Sequence, residues 1–175
     1  MNEHTILFTG TIDAGKTTAV ATLLEKPPVT TDVSGQDVLR DPTGAPIGMD
    51  YGDLLLDDGD HLRLYGIPGQ RRFDFMWKAL ADKALGLVIL VDNSRPDPLA
   101  DLSIYLENFS DLIRDTACVI GVGRMQEHPH PDLDAFADRM HTHGVVCPVL
   151  STDVRDRKDV LGLMDLLLVQ LESRR

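Results

Sequence analysis

A short apolar run, TILFT at residues 5–9, leads straight into the glycine-rich stretch GTIDAGKTT at 10–18, and no other feature limits the possible folds so strongly. The spacing is G-x-x-x-x-G-K-[ST], with Gly10, Gly15, Lys16 and Thr17 at the fixed positions. Glycines at both ends allow a tight wrap whose successive N–H groups point inward at phosphate oxygens. Lys16 brings a point charge to such phosphates, and Thr17 offers a hydroxyl to Mg2+. Asp13, Ala14 and Thr18 lie in the same wrap and the turn that follows, so they are expected to line the same ligand. The helix beginning at Lys16 adds the positive end of its dipole. Asp13 is the discordant residue, because a carboxylate aimed at a triphosphate weakens binding. A strand before the loop and a helix after it distinguish this pattern from a chance glycine turn, so a nucleotide site is predicted.

The rest of the chain supplies alternating strands and helices. Helix 16–25 is closed by Pro27-Pro28. Residues 27–48, rich in Pro, Gly, Thr and Asp, are too long and aperiodic for an ordinary connection, so a functional or mobile segment is expected. Residues 49–56 and 61–67 flank DDGD and read as a strand pair joined by a tight turn. A helix is predicted over 70–83, and GLVILVD at 86–92 reads as a strand buried on both faces. Asp97-Pro98 is a helix start, and Leu99, Leu102, Leu106, Phe109 and Ile113 follow at helical spacing. Strands at 117–122 and 145–150, a helix between them at 132–142 and a final helix at 158–172 complete an α/β sheet covered on both faces.

A chain of 175 residues is expected to form one domain, 1–175. Hydrophobic content of 43% and charged content of 26% match soluble globular usage. The net charge of −11 argues against nucleic acid or an anionic membrane as partner. The N-terminus has no basic leader region, residue 2 is Asn rather than Gly, and the chain ends ESRR. No secretory segment and no stable membrane anchor are therefore expected. Cys118 and Cys147 both lie in apolar runs and read as buried, reduced thiols of a cytoplasmic protein.

Residues 46–77, PIGMDYGDLLLDDGDHLRLYGIPGQRRFDFMW, resemble the switch region of Ras-like small GTPases. That pattern is a threonine, IGxD, a strand hairpin, then DxxGQ with a charged pair and Phe. The LYG-x-PGQ-x-RF-x-FMW version is most similar to bacterial small GTPases that work with roadblock-type partners, relatives of the gliding and polarity GTPases. With GTIDAGKT and the element order, the resemblance covers essentially the whole chain. It implies a P-loop NTPase fold, α/β, with a six-stranded mainly parallel sheet, one antiparallel edge strand and about five helices. It also implies GTP or GDP as ligand, Mg2+ bound through Thr17, and a signalling switch read by a roadblock-type regulatory protein or other effector at residues 40–77. Gly69 matches the glycine whose N–H contacts the γ-phosphate, and Gln70 the catalytic residue that orients the attacking water.

The departures from that family are specific. Its switch threonine falls on Pro46, which has neither hydroxyl nor N–H, with Thr43 near enough to substitute. The aspartate of DxxG falls on Gly66, removing a carboxylate from the metal's outer shell. Asp92, at the end of VILVD, either caps the loop NSRPDP or partly replaces that carboxylate through water. The guanine-reading motif N/T-K-x-D becomes Gly123-Arg124-Met125-Gln126, so Arg124 keeps a stacking role. Gln126 presents a neutral amide, or the following Glu127 takes its place if the loop shifts by one residue. Ser151-Thr152-Asp153 is a rough counterpart of S-A-K.

Among the other candidates, His128, His130, His141 and His143 lack metal-ligand spacing and read as solvated loop residues. Arg71 and Arg72 read as switch residues that meet a partner or, like Arg40, a transferred phosphoryl group. Phe73, Phe75, Met76 and Trp77 are too many large apolar residues for one buried stripe, so some are expected to be exposed, and an exposed aromatic patch there would mark a protein interface. Three functions follow: a GTP-binding switch with slow or partner-dependent hydrolysis, a pseudo-GTPase interaction module with relaxed guanine specificity, or a small-molecule kinase. The kinase reading leaves GIPGQRRF unexplained and lacks an arginine-rich lid.

Overall fold

The strand β1 (Glu3–Gly10) becomes fully buried by its third residue, because alternate side chains feed two separate cores. Leu7 points to one face of the sheet, Ile6 and Phe8 to the other. A computed structural model describes residues 2–25, 29–30, 49–68 and 74–174. In chain order these form β1, α1 (Lys16–Leu24), β2 (Val29–Thr30), β3 (Asp50–Leu55), β4 (His61–Gly66), α2 (Asp74–Ala81) and β5 (Ala84–Asp92). There follow α3 (Pro98–Asn108), α4 (Ser110–Asp115), β6 (Ala117–Gly123), α5 (Leu133–Thr142), β7 (Val149–Ser151) and α6 (Arg157–Ser173).

The strands form one sheet in the order β2-β3-β4-β1-β5-β6-β7. Pairing is parallel from β4 through β7, while β3 runs antiparallel to both β4 and β2. The six strands expected are all present, and the two-residue β2 extends the edge beyond them. This is an α/β fold of the P-loop NTPase type. One face of the sheet packs against α2, α3, α4 and α5 through residues such as Leu87, Ile89, Leu106 and Phe136. The other packs against α1 and α6 through Val88, Leu90, Val20 and Leu163. Such a sheet holds the carboxyl ends of β1, β5, β6 and β7 side by side, where ligands of open α/β sheets bind.

The structure differs from the sequence reading in several places. The single helix expected after Asp97 is two, because Phe109 leaves helical geometry between Asn108 and Ser110, and the described helices number six. Phe109 nonetheless stays buried and stacks on Trp77, with ring centroids 4.1 Å apart. The strand expected over 145–150 is only β7, since Pro148 has no N–H for the ladder and Gly144 turns the chain at φ +70°. Cys147 is only partly buried, whereas Cys118 is buried; both are free thiols. Finally, Met76 and Trp77 are buried and Phe75 is partly buried against the same core, while Phe73 lies outside the described residues. Trp77 also donates its indole N–H to Pro68 O at 2.9 Å, which satisfies its one polar atom inside the core. No helix among the described residues is long and apolar enough to cross a membrane.

Candidate functional site

β1 ends at Gly10, which lies beside Leu90 of β5 in the parallel register. Gly10 has φ +146°, and a Cβ there would stand 2.0 Å from Leu90 O, so only glycine fits. The loop then turns through Asp13 at φ +64° and Gly15 at φ +99° before α1 begins at Lys16. Ala14 donates its N–H to Thr11 O across the turn, 3.1 Å. The wrap is thus held by the sheet on one side and by its own backbone on the other.

Lys16 folds back over this wrap and donates to Gly10 O at 2.8 Å and Thr11 O at 3.1 Å. Burial lowers its pKa from the ordinary lysine value, against the opposing pull of the Asp50 and Asp13 carboxylates. The Asp13 side chain is exposed, as are Thr17 and Thr18 on the first turn of α1. Thr17 Oγ1 donates to Asp50 Oδ2, at the start of β3. The sequence reading gave Asp50 no role. Its only signal was its place in IGMD, at the start of the hairpin. Hydroxyl and carboxylate oxygens are the hard donors that suit Mg2+. Among the described residues there is no group of three or more His, Cys, Asp or Glu able to hold a metal. Mg2+ is usually held by one or two protein oxygens together with phosphate and water, and Thr17 would be one such oxygen here.

The second wall comes from the loop after β6. Arg124 takes a left-handed conformation, φ +60°. Its guanidinium pairs with Asp92 Oδ2 at 2.6 Å and donates to Asp13 O through both Nη atoms at 3.3 Å. Arg124 therefore joins the end of β5, the end of β6 and the phosphate loop. Asp92 is committed there: its Oδ1 accepts from Ser94 N–H at 2.9 Å and from Ser94 Oγ at 2.6 Å. It caps the loop NSRPDP, which is the first of its two expected roles. Burial alone would raise the Asp92 pKa, but the Ser94 bonds and the Arg124 pair outweigh it and hold the carboxyl below its ordinary range.

This depressed pKa has a testable consequence. A carboxylate of this kind stabilises the fold above its unfolded value of about 3.9 and ceases to do so as pH falls through the lower folded value. The melting-temperature gap between wild type and Asp92→Asn is therefore expected to be steady at neutral pH. It should shrink below about pH 4. A gap independent of pH would show that the Asp92 charge contributes nothing.

The same loop is clamped from below by Asn93, whose Nδ2 donates to His128 O at 2.6 Å and Pro131 O at 3.0 Å. The sequence reading passed over Asn93, and nothing near it in the chain signals this long-range contact. The third wall follows β7. Thr152 donates its N–H to Val122 O at 2.9 Å, and Arg155 grips the Asp153 carboxylate through Nε at 3.0 Å and Nη2 at 2.9 Å.

The three walls enclose a cavity of about 870 Å³, within the range of small-molecule sites. It is lined by Asp13, Ala14, Gly15, Lys16, Thr17 and Thr18 on one side and by residues 123–128, 151–155 and Asp159 on the other. The structure thus brings Arg124 and Gln126 to the cavity that holds the phosphate loop, with Gly10 at its root. Gln126 and Glu127 are both exposed there. Gly69 and Gln70 lie outside the described residues, as do Pro46, Thr43, Arg40, Arg71, Arg72 and Phe73. His128, His130 and His141 are exposed as expected, but His143 is half-buried, with Nε2 3.0 Å from Ser103 Oγ between α5 and α3.

The chain is similar to Intraflagellar transport protein 22 of Chlamydomonas reinhardtii, with 27% identity over 113 residues. The match covers 63% of this chain and 56% of that protein, so the chain spans about half the length of the curated relative it matches. No protein-family model matches the chain.

Proposed function

We propose that this protein is a guanine-nucleotide switch that hydrolyses GTP slowly or only with a partner's help. The observation that carries the reading is the single cavity shared by the phosphate loop and the base-side loop, joined by Arg124 to Asp13 O. A separate phosphate turn would not need that connection. A nucleotide reaching across the cavity does, because its base and its phosphates are held by different walls.

In this reading the loop N–H groups and Lys16 bind the β- and γ-phosphates, while Arg124 covers the base. Thr17 would hold Mg2+, which when bound neutralises charge on the β- and γ-phosphates. Gln70, by resemblance, orients a water oxygen toward the γ-phosphorus. Attack forms the new P–O bond as the bond to the β–γ bridging oxygen breaks, giving GDP and inorganic phosphate. Residues 40–77 are proposed as the face read by a roadblock-type regulatory protein or other effector, and a bacterial signalling setting in the cytoplasm goes with it.

A second reading rests on Gln126. Guanine offers two N–H donors at its N1 and N2 edge, and a neutral amide meets them with one uncharged oxygen, since its NH2 cannot accept. An interaction module with weak turnover and relaxed base preference would tolerate that mismatch.

Denaturing the purified protein and identifying the released nucleotide, then titrating fluorescent GTP and ATP analogues with and without Mg2+, separates the two. Tight Mg2+-dependent GTP binding with measurable phosphate release is expected. Binding of neither analogue would sink the switch and leave the interaction module. Equal affinity for both would show that Gln126 no longer selects guanine.

A further inference from the structure

Position 66 lacks the acidic side chain that the resemblance would place there, yet a carboxylate stands beside it. Asp50 of β3 lies directly opposite Gly66 of β4 in the antiparallel register. A Cβ built on Gly66 would meet Asp50 Cβ at 3.2 Å and Asp50 Oδ2 at 3.3 Å. The Asp50 side chain therefore fills the space that a side chain at 66 would enter. From there its Oδ2 accepts the hydrogen of Thr17 Oγ1, and its charge acts on Lys16. The other acid considered for this role, Asp92, spends its two oxygens on Ser94 and Arg124.

We propose that Asp50 is the positioning carboxylate of the Mg2+ site, supplied across the strand pair in place of the absent acid at 66. It fixes the Thr17 hydroxyl and sets the negative potential that favours a divalent cation beside it. The role rests on the nucleotide-site reading and deepens it. Supporting groups of this kind carry about 10- to 100-fold in metal affinity. The arrangement also ties the metal site to β3, which begins at Asp50, two positions after the 27–48 segment ends.

The test is the ratio of the dissociation constants of a fluorescent GDP analogue in excess EDTA and in excess Mg2+. Asp50→Asn keeps the shape and an acceptor for Thr17 but removes the charge, so a purely structural role would leave the ratio unmoved. The ratio is expected to fall by about ten-fold or more, with the melting temperature of the nucleotide-free protein little changed. Moving the acid back, as Asp50→Gly with Gly66→Asp, is expected to restore most of the ratio. Gly66 is not in a left-handed conformation, and the three heavy atoms nearest a Cβ there all belong to the Asp50 side chain, which this variant removes.

An unchanged ratio in Asp50→Asn overturns the proposal, as does a wild-type ratio near one; both leave nucleotide binding intact. Should the double variant fail to fold, the Asp50→Asn ratio still decides. Failure of the folded double variant to recover any of the ratio would also count against the proposal. If the wild type binds no fluorescent GDP in either condition, the nucleotide reading falls and Asp50 falls with it.

Discussion

Lys16→Ala is expected to lower nucleotide affinity by roughly one to two orders of magnitude while leaving the nucleotide-free fold as stable as before. Hydrogen bonds to a charged group are worth about 1.5–3 kcal/mol, which converts to approximately that loss. The fold should not suffer because the ammonium is already penalised in the free protein: burial lowers its pKa. Its two partners, Gly10 O and Thr11 O, are backbone carbonyls of the loop itself, so no strand or helix depends on these bonds. Titration with the fluorescent GDP analogue and calorimetric melting without nucleotide measure the two halves of the expectation. Equal affinities for wild type and variant would remove Lys16 from the phosphate site. A large loss of apo stability would instead make it a structural strut.

Gly10→Ala is expected to be the most damaging single substitution at the site, costing on the order of 4 kcal/mol or preventing folding. The added methyl would lie 2.0 Å from a backbone oxygen, and no rotamer change relieves a contact between Cβ and main chain. Relief would require β1 and β5 to separate, and those strands pair in register from Ile6↔Gly86 to Gly10↔Leu90 at the centre of the sheet. Urea denaturation followed by far-ultraviolet circular dichroism reads the effect as a lower midpoint. A midpoint within error of wild type would mean that the loop can move away from β5 without cost.

Local patterns in the sequence revealed most of the fold. The loop 10–17 announces itself because its parts are neighbours in the chain, and the alternation of β1, β5 and β6 with amphipathic helices needs only spacing to be seen. The hairpin was equally visible from DDGD, where Gly59 takes φ +87°. Features that depend on contacts between distant segments were not visible. Asp50 acquires its role from the register between two strands and from a hydroxyl 33 positions away. Asn93 closes on carbonyls 35 and 38 positions later. Met76 and Trp77 looked surplus to one helical stripe, but Phe109 and Pro68 O give Trp77 an interior place. The break at Phe109 is hidden for the opposite reason: its side chain keeps the helical period although its backbone does not.

The facing pair Asp50 and Gly66 also constrains how this chain can change. Restoring an acid at 66 first would put two carboxylates directly opposite each other on β3 and β4, at a contact already crowded by a bare Cβ. Removing Asp50 first would leave Thr17 without its acceptor and the pair without any acid. Each single step leads downhill from arrangements that serve with one carboxylate in either strand. The two positions therefore depend on each other's history, and the effect of a mutation at one has no fixed sign until the other is specified.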